Sequence, residues 1–226
     1  MDGVPLRSLY ELLRAATVKG EWWPAETRFE IFVGAVLTQN VSWINVGYSL
    51  AKLRTARLLD AEPLANADPT VLRELIRPSG YMRAKSRCLI DTANWYLATD
   101  DLTHGYSDEE LRASLLEVKG IGPETADDIL LYAYRRPVFI WDIYARRLLA
   151  AAGHEVPSSY ESTRRQLGHL VTDGGFTTEQ LAEFHGFIVD AGKQARRAGG
   201  WEAYLRTLRC STSRISSEQP ARPVSS

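Results

Sequence analysis

Apolar side chains recur along this chain at intervals of three and four residues, the period of a helix that buries one face. Leu6, Leu9, Leu12 and Leu13 mark an opening amphipathic helix. Thr177-Thr-Glu-Gln180 caps a late one that carries Phe184, Phe187, Ile188 and Ala191. Between them the same spacing predicts helices over 46–53, 70–76, 84–97, 108–118, 144–152 and 159–170, separated by turns rich in Pro, Gly and Asp. Segment 30–37 is different. Ile31, Phe32, Val33, Ala35, Val36 and Leu37 leave almost no polar face, which predicts a helix buried all round. No segment alternates apolar and polar residues long enough to predict a strand, so the fold class is all-α. There is no internal repeat, and 211–226, rich in Ser, Pro and Arg with little to bury, reads as a disordered tail.

One turn in this pattern carries candidate chemistry. Ser107 and Glu110 fit a capping box, so a helix starts near Asp108 and runs to about Val118. Lys119-Gly-Ile-Gly-Pro-Glu-Thr125 follows, where Gly120 and Gly122 allow backbone angles that side chains forbid. Pro123 suits the first position of a second helix, with Ala126, Ile129, Leu130 and Ala133 on its apolar face. The amides of such a turn and the positive end of its second helix form an anion site. An ordinary helix–turn–helix corner without a ligand would look the same locally. Shortly after it, Asp142 stands in the apolar run Phe139-Ile-Trp-Asp-Ile-Tyr144, as a buried carboxylate for acid–base work, as the cap of the helix that follows, or as both.

Composition narrows the setting. The 226 residues are 45% hydrophobic and 24% charged, an ordinary globular balance, with length for one compact domain or two lobes. A formal net charge of −1 gives no global attraction to a polyanion, so nucleic-acid binding would need a local basic surface. Lys119, Arg135, Arg136, Arg146, Arg147, Lys193, Arg196 and Arg197 could supply one, or could be a solvated face. The two cysteines, Cys88 and Cys210, allow neither a disulfide framework nor a four-cysteine cluster, which suggests a reducing, cytoplasmic compartment. The start, Met1-Asp-Gly-Val-Pro5, lacks the basic and apolar regions of a leader peptide, and no run approaches the roughly 18 apolar residues of a membrane span.

Four segments together resemble the helix-hairpin-helix DNA glycosylases, the superfamily that includes endonuclease III. They are Phe32-Val-Gly-Ala-Val-Leu-Thr-Gln-Asn40, Gly80-Tyr-Met-Arg-Ala-Lys85, the hairpin from Lys119 to Ala126, and Asp142, eighteen residues beyond Glu124. The resemblance spans about Trp22 to Arg197. It implies two helical lobes with double-stranded DNA and an extruded base in the cleft between them. One lobe would cover 25–136, with the helix-hairpin-helix at about 108–134, and the other would join 1–24 to 137–210. A monomer associated with the nucleoid when on DNA is implied, with no membrane partner.

Two departures from endonuclease III bear on chemistry. That enzyme has a lysine nucleophile within its hairpin segment, where this chain has Glu124; without the amine no Schiff base forms, and base removal is not coupled to strand cleavage. The iron–sulfur cysteines of the family are also missing, as the cysteine count requires. Within the superfamily the chain is similar to the third-type 3-methyladenine DNA glycosylases. Trp22-Trp23-Pro24 and Thr38-Gln-Asn-Val-Ser-Trp43 match the residues that frame the base pocket of that branch. His185-Gly-Phe-Ile-Val-Asp-Ala-Gly-Lys193-Gln194 matches the region whose lysine lies near the pocket and can carry a carbamate, which puts Lys193 in that role.

The roles implied are as follows. Asp142 stabilises positive charge building on the sugar or orients the attacking water. Trp22, Trp23 and Trp43, otherwise plain core aromatics, stack on a cationic methylated purine, a cation–π contact worth about 0.5–2 kcal/mol. Gln39, or equally Asn40, fills the gap left by the extruded base, with Tyr81 as a second intercalating side chain. Gln39 could instead be a buried residue closing a helix end. Lys119, Gly120, Ile121, Gly122, Glu124 and Thr125 form the phosphate-binding hairpin, although Lys119 could be a plain surface lysine and Glu124 a partner for the helix dipole. Relatives allow a Na+ or K+ ion at the hairpin carbonyls; no other metal or cofactor is implied. The reading is therefore a monofunctional DNA glycosylase that excises alkylated purines, 3-methyladenine above all, and leaves an abasic site. The alternatives are a uracil or T·G mismatch glycosylase on the same scaffold and a non-catalytic helix-hairpin-helix DNA-binding protein.

Overall fold

The computed structural model describes residues 3–17 and 23–217, with side chains as far as 210. The described residues form helices and turns, with no strand. They divide into two compact units, one of 1–22 with 141–226 and one of 23–140. Trp23, Pro24 and 137–140, expected with the discontinuous lobe, therefore belong to the continuous unit.

The continuous unit is built round α2 (Arg28–Thr38), in which Phe29 and every residue from Phe32 to Leu37 are buried. Thr27 caps it by accepting the Glu30 amide. A helix with no polar side needs neighbours on all sides. They are α3 (Trp43–Thr55), α6 (Met82–Thr99) and a wide-turn segment, Ile129–Ala133, with the short helices α4 (Ala61–Ala65) and α5 (Pro69–Leu75) packed against α6. The five residues of α4 are too few to show a period, and the apolar pattern missed it.

The helix-hairpin-helix consists of α7 (Asp108–Leu116), a turn, and α8 (Pro123–Asp128), which runs directly into Ile129–Ala133. Both sides of the capping box at Ser107 and Glu110 are present. Ala126, Ile129, Leu130 and Ala133 are buried as their spacing predicts. The helix does not stay α, however: Ile129–Ala133 is a π turn, closed by Tyr134 N–H donating to Ile129 O. Leu131 and Tyr132 are buried as well, so the segment is covered all round and packing rather than period sets its shape. Across the hairpin, buried Arg112 of α7 donates to buried Asp127 of α8 at 2.6 Å.

The other unit packs α1 (Leu6–Ala16) against α10 (Tyr160–Gly174), α11 (Thr178–Arg197) and α12 (Trp201–Ser217), with α9 (Ile143–Ala151) against α11 and α12. Tyr10 meets Phe176, Phe184 and Phe187 at centroid distances of 5.7, 5.4 and 6.2 Å. Arg7 donates to the carbonyls of Gly174 and Gly175, closing the end of α10. The tail expectation changes here. Once α12 is nucleated at Trp201, extending it adds one bond per ordered residue, and it continues through 211–217 despite their polar composition. The remainder of the expected tail, 218–226, lies outside the described residues. No described helix is long and apolar enough to cross a membrane.

Candidate active site

Asp142 is the N-cap of α9, and the apolar run before it, Phe139-Ile140-Trp141, is buried. Its Oδ1 accepts the Ala145 amide at 2.7 Å, so the cap interpretation of this residue holds. A cap uses one carboxylate oxygen. The other, Oδ2, lies 3.9 Å from Nε2 of His185 on α11, and both side chains are more than 90% buried. The sequence assigns His185 no role, since a lone histidine on an apolar face carries no signal of its own.

Burial pushes the His185 imidazole down to about 4, so it is neutral at pH 7. The unfolded chain takes this proton near pH 6.5, the folded chain only near 4. Stability from keeping the ring neutral is therefore complete above about pH 6.5 and declines as pH falls toward 4, by on the order of 3 kcal/mol in total. Urea unfolding followed between pH 7.5 and 4 should show this slope, and His185→Gln should flatten it within that window.

In the continuous unit, Trp23 stacks on Tyr132 with centroids 4.8 Å apart and planes at 26°. Trp43, at the start of α3 and 38% exposed, meets the edge of Trp23 at 5.2 Å. Gly34 of α2 lies under Trp23; a Cβ there would come within 3.2 Å of the indole Nε1. Trp23 and Trp43 are thus brought together, with two residues the sequence did not single out, Tyr132 and Gly34. Pro24 is exposed beside them, and Trp22 lies outside the described residues.

The hairpin needs only one of its glycines for backbone reasons. Gly120 has φ +100, and a Cβ there would meet Cys88 at 3.0 Å. Gly122, by contrast, has φ −95, open to any residue, and a Cβ on it would meet nothing within 4 Å. The two-glycine expectation is corrected to that extent, because Gly122 is already the extended N-cap of α8. No side chain caps α8. Ile121 is buried in the core, while Lys119 and Glu124 are exposed and Thr125 is buried.

Gln39 does not project from the surface. Its Nε2 donates to Gly120 O and to Thr125 Oγ1, each at 3.0 Å, and ties the end of α2 to the hairpin. The neighbouring candidates differ. Asn40 and Tyr81 are exposed, Tyr81 to 71%, and both have left-handed backbones with φ of +55 and +47. Trp23 shares this conformation, with φ +69. Each such non-glycine residue costs roughly 1–2 kcal/mol. Strain of this kind persists where the surroundings hold it in place, and it concentrates at functional sites.

Among the basic candidates, Arg136 is used internally, donating to the carbonyls of Thr103 and Tyr106 and pairing with Asp108. Lys193 donates to Asp190 at 2.8 Å on the same face of α11, its side chain 54% exposed. Among the described residues no group of three His, Cys, Asp or Glu side chains could hold a metal ion.

The chain matches the HhH-GPD superfamily of base excision DNA repair proteins over residues 33–172. A Methanocaldococcus jannaschii protein described as a DNA repair glycosylase is 40% identical over 150 residues, covering 64% of this chain and 68% of its own. The H. pylori 3-methyladenine DNA glycosylase bound to 1,N6-ethenoadenine superposes with a TM-score of 0.74 at 29% identity, over 84% of this chain and 98% of that one. The Schizosaccharomyces pombe 3-methyladenine DNA glycosylase in complex with abasic DNA shares the fold at 17% identity and a TM-score of 0.58, over 81% of this chain and 90% of that one. The family match takes in the buried α2, the strained turns, the hairpin and Asp142, well over half of the chain, which belongs to the HhH-GPD superfamily of base excision DNA repair proteins.

Proposed function

We propose that this protein is a monofunctional DNA glycosylase that hydrolyses the N-glycosidic bond of alkylated purines, 3-methyladenine first among them, in double-stranded DNA. The observation that carries the reading is Asp142, a buried carboxylate fixed at the start of α9 by the Ala145 amide, with His185 3.9 Å from its Oδ2. As the bond from C1′ to the base breaks, the bonding electrons leave with the base. Positive charge then develops on the sugar, which Asp142 stabilises. Water adds its oxygen to C1′ and gives up its proton, to Asp142 or through it to solvent. A base methylated at N3 is cationic before it leaves and neutral afterwards, so it departs without a protein acid.

The aromatic set supports the substrate class. Trp43, with Trp23 and Tyr132 behind it, offers an electron-rich face to a cationic ring. The similarity to a glycosylase bound to 1,N6-ethenoadenine points the same way. On the hairpin, the open space over Gly122 leaves room for a phosphate to approach the backbone. The Gly120 carbonyl accepts the Gln39 amide and keeps a second lone pair, so the hairpin suits a monovalent cation, which would add positive charge beside that phosphate. A carbamate fits Lys193 poorly, because it would set an anion beside the Asp190 carboxylate that now pairs with the ammonium. Lys193 acts in this reading as a cation. Glu124 in the hairpin offers no amine for a Schiff base, and strand cleavage is not part of the reaction.

Base release from methylated duplex DNA tests this, with chromatography of the freed bases and a gel of the DNA with and without alkali. Free 3-methyladenine, with strand breaks only after alkali, is the expected result. Release from uracil or T·G duplexes alone would move the activity to another lesion, and breaks without alkali would reveal a second amine.

A further inference from the structure

Lys85 lies in the first turn of α6, 3% exposed, at the end of the motif that begins with Gly80 and Tyr81, and the function above gives this lysine no role. Its Nζ donates to three backbone carbonyls: Leu37 at 2.8 Å, Gln39 at 2.9 Å and Ser79 at 2.9 Å. The first two belong to the end of α2, where the helix dipole favours a cation. The third precedes Gly80 and Tyr81. Burial pushes the ammonium down to about 8, which leaves it protonated at pH 7 with all three hydrogens engaged.

These carbonyls sit at two strained places. Gln39 O is on the peptide entering Asn40, and Ser79 O is one residue before Gly80 and two before Tyr81; Asn40 and Tyr81 are both left-handed and exposed. Gln39 also reaches the hairpin through its side chain, and Ser79 is braced from the other side by the Ser49 hydroxyl at 2.8 Å. One buried charge therefore holds two high-energy turns from different parts of the chain in a fixed relation to each other and, through Gln39, to the hairpin. A neutral or shorter side chain could not satisfy three convergent carbonyls, and the strain would relax locally.

We propose that Lys85 is a positioning residue for base extrusion, holding the Asn40 and Tyr81 turns in register so that they enter the gap left in the duplex. The proposal rests on the glycosylase reading for its purpose, and its test does not depend on which lesion is excised. The probe is a duplex with a tetrahydrofuran abasic site opposite 2-aminopurine, compared with the same duplex intact. Wild-type protein should prefer the abasic duplex and change the 2-aminopurine fluorescence on binding. Lys85→Gln should keep its affinity for intact duplex, which the hairpin supplies, and lose preference for the abasic one by about ten- to a hundredfold, together with the fluorescence change. Lys85→Arg, which keeps the charge, should recover part of both.

Wild-type preference retained in Lys85→Gln would overturn the proposal. So would an equal loss on both duplexes, which marks a merely structural role; circular dichroism and thermal melting of both variants accompany the titrations. Base release by wild type from methylated DNA, measured in parallel, separates the two readings. If release fails but abasic preference and its dependence on Lys85 remain, the lesion assignment falls and the role of Lys85 stands.

Discussion

Asp142→Asn should lower the rate of base release by about 10²- to 10⁴-fold, the usual contribution of a positioned acid–base or charge-stabilising group. The variant separates the two roles this residue combines. Asparagine is as good an N-cap as aspartate, and its side-chain oxygen can still accept the Ala145 amide, so α9 and the fold should be unaffected. It cannot hold negative charge beside a developing oxocarbenium ion. Single-turnover release from methylated DNA, with duplex affinity and thermal melting measured in parallel, should show a loss confined to the chemical step. Asp142→Ala should lose the same rate and, in addition, about 0.5–2 kcal/mol of stability with the cap. Wild-type turnover by Asp142→Asn would remove Asp142 from the chemistry and leave it a cap only.

The largest effect on stability is expected at the brace between the two hairpin helices. Arg112 and Asp127 pair at 2.6 Å with side-chain exposures of 7% and 1%. Replacing one partner strands a charge in the core, and Arg112→Met or Asp127→Leu alone should cost about 3–5 kcal/mol in urea unfolding. The pair itself adds far less than that, because both charges were desolvated to form it. The double variant, with apolar groups of similar volume, should therefore recover most of the loss. If the single variants were as stable as wild type, the pair would be solvated and the hairpin held by its apolar contacts alone. In the DNA-bound protein the single variants should also weaken affinity for intact duplex, since the brace sets the angle at which the hairpin presents its amides.

Much of this was readable from the chain because it is encoded within a few residues. The capping boxes at Ser107 and Thr177, Pro123 at the start of α8, the full burial of α2 and the cap at Asp142 all rest on contacts inside one helical turn. The same local signals placed the hairpin, with Glu124 in the first turn of its second helix. They failed where packing overrides period. The wide turn at Ile129–Ala133 looks α-helical in sequence, and Gly122 looks as constrained as Gly120. The polar stretch 211–217 looks unable to hold a helix until the turns before it have formed.

By itself, then, the sequence determined the helical class, the hairpin and the capped carboxylate, since each depends on neighbours within about four positions. Only the tertiary structure decided that Gln39 faces the hairpin, across 81 and 86 positions, and that Lys85 holds Leu37 and Gln39 across 48 and 46. The same is true of Tyr132 behind Trp23 and of His185 beside Asp142. A lysine or a histidine on a helix has the same local pattern whether it ends in solvent or in the core. Its partners are chosen by how the helices pack, and that choice leaves no mark in the residues on either side.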